Sequence, residues 1–134
     1  GTFAAVIPTL RKPTDLFREC AGVLRGVLTD EKHALGALSG NAVKMNSVAD
    51  IAEIFAGGGW HTEDISTVDI DVSVAARPEA LADLIAPAFY HYQLLSAEGR
   101  CRVGLLWTEL FKRHRDSDGT ARFHFPLAAF AVRK

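Results

Sequence analysis

Cysteine is scarce in this 134-residue chain: there are two, Cys20 and Cys101. That excludes a disulfide-dense secreted module. Neither stands in a CxxC or other metal-ligand spacing, and both sit in periodic apolar settings. They read as reduced, buried thiols acting as small hydrophobes, which points to a cytoplasmic setting. No apolar run approaches the roughly 18 residues that a membrane-spanning helix needs. Charge of one sign is also lacking, with 15 Lys and Arg against 16 Asp and Glu and a formal net charge of -1. This argues against a dedicated nucleic-acid binder, although a local basic patch remains open. No basic leader precedes the apolar Phe3–Ile7 run, so no signal peptide is expected. An apolar strand this close to the first residue instead suggests upstream sequence lost by processing or truncation.

What is present suits a globular core. Apolar residues make up 49% of the chain and charged residues 23%, outside the range of disordered tails. A single domain, 1–134, is expected. Thr2–Ile7 reads as a short strand buried on both faces, stopped by Pro8. Thr14 and Asp15 open a helix carrying Leu16, Cys20, Val23, Leu24 and Val27 at helical spacing. Thr29-Asp30-Glu31 reads as a second helix start, with Ala34, Leu35 and Leu38 on its apolar side and Gly40-Asn41 as its stop.

Ser47-Val48-Ala49-Asp50 has the form of a capping box, and Ile51, Ile54 and Phe55 form the stripe behind it. Gly57-Gly58-Gly59 stops that helix. Val68, Ile70, Val72 and Val74 then alternate with Asp69, Asp71 and Ser73, the pattern of a strand with one wet face. Pro78 opens a helix with Leu81, Leu84 and Ile85, and Pro87 ends or kinks it. Val103, Leu106, Trp107 and Leu110 mark another helix, and Asp116–Gly119 a turn. Ala121–Val132 is apolar on both faces, as a mid-sheet strand should be, and Pro126 within it suggests a bulge or an approach to the edge.

Charge is unevenly spread. Residues 45–97 carry eight acids against Arg77 alone, whereas residues 98–134 carry eight Lys or Arg against four acids. Two solvated faces with mild mutual attraction explain this, and a basic end that meets an acidic partner or phosphate is the alternative. The five histidines, His33, His61, His91, His114 and His124, show no helical metal-pair spacing, so no metal is expected. No serine lies in a nucleophile elbow, and Gly57–Gly59 follows a helix rather than a strand, unlike a dinucleotide turn. Phe89-Tyr90-His91-Tyr92-Gln93 is the densest aromatic and hydrogen-bonding cluster. It suits a mostly apolar small-molecule pocket with His91 as a proton acceptor, or simply a helix end closing on the core. Trp60 and Trp107 read as core or as walls of the same cavity.

Two segments carry a family resemblance. One is Ser47–Trp60 with the alternating strand to Val74 and the Arg77-Pro78-Glu79-Ala80 helix start. The other is Asp116–Gly119 running into Arg122-Phe123-His124-Phe125-Pro126-Leu127 and ending at Ala129–Lys134. Together they resemble the C-terminal half of class I S-adenosylmethionine-dependent methyltransferases of the small-molecule type. Thr2–Ile7 resembles the family's fifth strand, and the other two strands its sixth and seventh. The chain departs from the pattern at Gly59-Trp60, where the family has Gly-Phe or Gly-Tyr, and it lacks the strands that build the cofactor site.

The resemblance implies an α/β fold: a partial Rossmann-like methyltransferase fold, with a three-stranded mixed sheet and flanking helices, lacking the N-terminal cofactor-binding strands. It implies S-adenosylmethionine as the family's cofactor, with none expected to bind this chain alone. It also places Tyr90, His91 and Tyr92 near a substrate pocket, which Trp107, read above as a wall of the same cavity, joins as a substrate-side candidate. The catalytic residues are left unassigned. Methyl transfer requires donor and acceptor held in near-attack geometry, so the chain is not expected to act alone. Two further readings stay open: a stand-alone, non-catalytic small-molecule-binding or regulatory module, and an unrelated small α+β enzyme centred on His91. By the resemblance, Thr2–Ile7 presents an edge to be covered by a second copy, a missing N-terminal half or swapped elements. Neither nucleic acid nor membrane is expected as a partner.

Overall fold

The computed structural model describes residues 1–8, 12–32 and 45–134. Among them are three strands, β1 (Thr2–Ile7), β2 (His61–Ala76) and β3 (Ala121–Arg133). Four helices accompany them: α1 (Asp15–Asp30), α2 (Val48–Phe55), α3 (Pro78–Ile85) and α4 (Ala97–Arg113). Two short 3₁₀ turns, Ala86–Ala88 and Tyr90–Leu94, join α3 to α4.

The sheet order is β1-β3-β2. β1 runs antiparallel to β3, with Thr2 opposite Arg133 and Ile7 opposite Ala128, and the sheet is antiparallel throughout. This overturns the expected mixed sheet and, with it, the partial Rossmann-like methyltransferase fold, whose strand order is parallel. The reason for the miss is physical. A continuous apolar run marks a strand with little polar surface, but direction is set by pairing with distant residues, which composition does not encode.

Local chemistry explains the element boundaries. Asp15 stands in the first turn of α1 and pairs with Arg18, one turn on. Cys20, Leu24, Val27 and Leu28 form its buried stripe. Thr29 and Asp30 end α1 rather than starting a new helix, and the Thr29 hydroxyl donates back to the Arg25 carbonyl at 2.9 Å. The expected continuation through Ala34, Leu35, Leu38 and Gly40-Asn41 lies outside the described residues. At α2 the Asp50 amide donates to Ser47 Oγ at 3.2 Å, as a capping box requires. The Asp50 carboxylate, however, accepts from the Asn46 amide, one residue earlier than expected, at 2.9 Å. Behind that cap Ile51 is buried, whereas Ile54 is exposed. Gly57 and Gly59 end this segment at φ 80° and 74°, a region glycine enters cheaply. Pro78 is the first residue of α3, and Leu84, expected in its apolar stripe, is exposed.

β3 is the central strand, as its apolar character on both faces predicts. Its burial changes phase midway: Ala121 and Phe123 are buried, then Pro126, Ala128, Phe130 and Val132. The change falls where the strand passes from the second compact unit, which ends at His124, to the first, which resumes at Phe125. β1 departs from expectation. Instead of being buried on both faces it lies at the sheet edge, and only Ile7 is buried.

The chain divides into two compact units. The first comprises Gly1–Thr14, Ala42–Val72 and Phe125–Lys134. Its core is Ile7, Ile51, Phe130 and Val132, with Phe55, Trp60 and Ile65 packed against it. The second comprises Asp15–Asn41 and Ser73–His124. It contains α1, α3 and α4, and its largest buried side chains are Trp107, Phe111 and Phe123.

Candidate functional site

The second unit holds an open groove of about 560 Å³ between α3 and α4. Proline at the start of α3 and Ser96 at the start of α4 fix where these helices begin. Ser96 Oγ accepts from the Gly99 amide at 2.9 Å. A second cap reinforces it. The Glu31 carboxylate, just beyond α1, accepts from the Ser96 amide at 2.9 Å and from the Ser96 hydroxyl at 2.6 Å. A carboxylate at a helix N-terminus also complements the helix dipole.

Helical spacing aligns the groove walls. Glu79 and Asp83 stand one turn apart on α3, with Ala82 between them; Cys101, Gly104, Leu105 and Thr108 line α4. Among the described residues neither α3 carboxylate is in an ion pair, whereas Lys112 on α4 is paired with Glu109 at 3.0 Å. At one end stands Tyr92, with the Arg100 guanidinium over its ring at 5.9 Å. Arg100 also donates to the Gln93 carbonyl at 2.8 Å, which holds the 3₁₀ turn against α4. The groove therefore combines apolar lining, an aromatic face, an acidic wall and a fixed cation. That set suits a small ligand with an apolar body and polar ends.

The four sequence-predicted site residues separate in the structure. Tyr92 lines the groove. Trp107 is fully buried beneath it, stacked on Tyr92 with ring centroids 5.8 Å apart and an interplanar angle of 19°. Its indole N–H donates to the Cys20 carbonyl at 3.0 Å, so its polar atom is used inside the core. Tyr90 is 71% exposed and meets His91 edge-on at 5.6 Å, and neither lines the groove. Phe89 turns inward onto Phe17 and Trp107, at 5.1 and 5.2 Å. Sequence reasoning missed Glu79, Asp83 and Arg100. The four-residue spacing of the two acids was visible, but only the approach of α4 turns it into a wall.

The thiols differ in the same way. Cys20 is buried, and burial, with the nearby Glu19 carboxylate, pushes its thiol up to about 12. Cys101 is exposed on α4, against the expectation of two buried thiols. His61 Nδ1 lies 3.2 Å from the Glu63 carboxylate in the first unit. Hydrogen bonds from the Glu63 backbone and from His61 hold that carboxyl below its usual range. Among the described residues no helix is long and apolar enough to cross a membrane. No family model matches the chain, and no curated protein matches it significantly.

Proposed function

We propose that this chain is the acceptor-side portion of an enzyme that modifies a small, partly apolar molecule, and that it does not turn over alone. The reaction implied by the sequence resemblance is methyl transfer from S-adenosylmethionine. What supports that reaction is the pair of motif segments, Ser47–Trp60 and Asp116–Gly119 with Phe123–Leu127, and not the sheet. An activity belongs to a site rather than to a fold, so the antiparallel sheet leaves the reaction to be argued from these residues. The observation that carries the acceptor-side role is the open groove lined by Ala82, Gly104 and Leu105, with Tyr92, stacked on Trp107, at one end. A cytoplasmic setting fits the two unpaired thiols.

Calorimetric titration of the chain with S-adenosylmethionine and S-adenosylhomocysteine tests this. No heat of binding is expected from the chain alone. Micromolar binding would overturn the claim that the donor site lies elsewhere. Expressed together with the coding sequence preceding Gly1, the product is expected to bind S-adenosylhomocysteine, and a longer product that does not bind would overturn the reaction class. The groove itself favours a second reading, a binding module without chemistry. That reading predicts ligand-dependent quenching of Trp107 fluorescence in a chain that never binds the donor.

A further inference from the structure

The uneven charge of the sequence leaves two arginines without a role. Most bases of residues 98–134 have a contact: Arg100 with the Gln93 carbonyl, Arg102 with Asp30, Lys112 with Glu109, Arg122 with Ser73 and Arg133 with Asp64. Arg115, just past the end of α4, has neither an ion pair nor a hydrogen bond among the described residues. The same holds for Arg77, the one Lys or Arg of residues 45–97. Both belong to the second unit, and both line a hollow of about 280 Å³ with Pro78, Glu79, Asp118 and Gly119.

Local structure fixes where the two arginines stand. Arg77 precedes Pro78, which favours an extended backbone, and it has one, at φ −60° and ψ 149°. Arg115 leads into a closed turn. The Asp116 amide donates to the Thr120 carbonyl at 2.7 Å, and the Gly119 amide to the Asp116 carbonyl at 3.0 Å. Neither carboxylate of the hollow is paired with these arginines. Asp118 Oδ1 accepts from the Thr120 amide and hydroxyl at 2.9 and 2.8 Å. Those bonds, and to a smaller degree the Arg122 charge, hold its carboxyl below the usual range. Glu79 also lines the α3–α4 groove. Two guanidinium groups that share a hollow repel each other until an anion lies between them. The start of α3 adds donors, because Arg77 at its N-cap makes no side-chain bond to the amides of the first turn.

We propose that this hollow binds the phosphate group of a small phosphomonoester, with the Arg77 and Arg115 guanidinium groups as its principal ligands. A guanidinium fork takes two oxygens side by side. One fork therefore fills a carboxylate, whereas a phosphate has oxygens for both arginines. Size and charge restrict the rest of the ligand. Pockets that bury drug-sized molecules start at roughly 300 Å³, so this hollow takes the phosphate and little of what carries it. Glu79 and Asp118 at the same hollow repel a polyanion that must track past them, which disfavours nucleic acid. The site does not depend on the reaction proposed for the α3–α4 groove.

A two-dimensional amide NMR titration of the chain tests the proposal, with phenyl phosphate and inorganic phosphate as probes. It is run at about pH 8, where both are dianions, with sodium chloride holding ionic strength constant. Saturating shifts are expected at the Glu79, Ala80 and Gly119 amides, with a millimolar midpoint because both arginines are exposed. A tighter midpoint for phenyl phosphate supports the ester as ligand; a tighter one for inorganic phosphate overturns the ester and leaves an anion site. Arg77→Ala and Arg115→Ala should each weaken binding by roughly tenfold. Glu79→Gln should tighten it, a change of sign that general screening does not produce. The same spectra report whether each variant is folded, and either arginine variant alone suffices. Shifts that grow linearly without saturating, or a midpoint unchanged in a folded arginine variant, would overturn the proposal.

Discussion

The two compact units differ in how completely the chain covers its own apolar groups. In the second unit, α1, α3 and α4 supply apolar stripes, and Trp107, Phe111 and Phe123 lose all contact with water. The one polar atom buried among these rings, the Trp107 indole nitrogen, is hydrogen-bonded. In the first unit α2 is a single eight-residue helix. Phe55 contacts Phe3, Trp60 and Phe130 at 5.3, 5.2 and 6.2 Å, yet Phe3 stays 44% exposed. Both units are rich in aromatic contacts. Ring contacts alone therefore do not make a closed core; the area taken from water does.

The largest expected effect tests that difference directly. Trp107→Ala should cost about 3–5 kcal/mol, the range for removing a large buried aromatic side chain. Phe3→Ala in the first unit should cost much less, since part of its ring is already solvated and its removal leaves no enclosed cavity. Urea unfolding of both variants measures the contrast. Equal losses would break it, and would mean that the β1 edge is covered under the conditions used.

The same contrast explains what could be read in advance. Boundaries written in local chemistry were legible: Pro78 opening α3, Gly57–Gly59 ending the α2 segment, Asp116–Gly119 preceding β3. The central place of β3 was legible too, because both faces are apolar. What failed depends on distant partners. Thr29-Asp30-Glu31 looks like a helix start, but α1 reaches Asp30 and Glu31 is taken by Ser96, sixty-five residues on. An apolar strand does not announce whether its neighbours run parallel or antiparallel, so the mixed Rossmann-like sheet was expected and an antiparallel one is found. The site was half legible. Aromatic density pointed to Tyr90–Tyr92, but the 3₁₀ turn sends only Tyr92 to the groove, and the Glu79–Asp83 wall exists only because α4 lies beside it.

A smaller effect probes the contact that closes the second unit. A Cβ at Gly99 would stand 2.9 Å from the Glu31 carboxyl carbon, with its oxygens as near or nearer. The carboxylate can swing away, but then it gives up its bonds to Ser96. Hydrogen bonds to charged groups contribute about 1.5–3 kcal/mol, and alanine in place of glycine returns roughly 0.5–1 kcal/mol in a helix. Gly99→Ala should therefore destabilise by about 1 kcal/mol. In a Glu31→Ala background the obstruction is gone, and the same substitution should stabilise. A double-mutant cycle by thermal melting reads the change of sign. If Gly99→Ala keeps one sign in both backgrounds, the α1–α4 clamp is not what holds this unit closed.

The smallest effect returns to the comparison through one exposed carboxylate in each unit. Asp118 accepts from the Thr120 amide at 2.9 Å and from its hydroxyl at 2.8 Å, and these bonds hold its carboxyl below the usual range. Glu63 is held low mainly by its own backbone amide, with His61 second. For both, the folded state prefers the ionised form more than the unfolded chain does. The resulting stability is present above the unfolded carboxylate range and is lost as pH falls through the lower folded value. Asp118 spans the turn that starts β3, whereas the Glu63 bonds lie within two residues of β2 and cross no turn. Asp118→Asn should thus flatten the acid side of the stability profile more than Glu63→Gln, by a small margin because both groups are solvated. Melting temperatures taken down to about pH 3 decide it. If Glu63→Gln flattens the profile more, the first unit depends on its strand charges more than its thin core suggests.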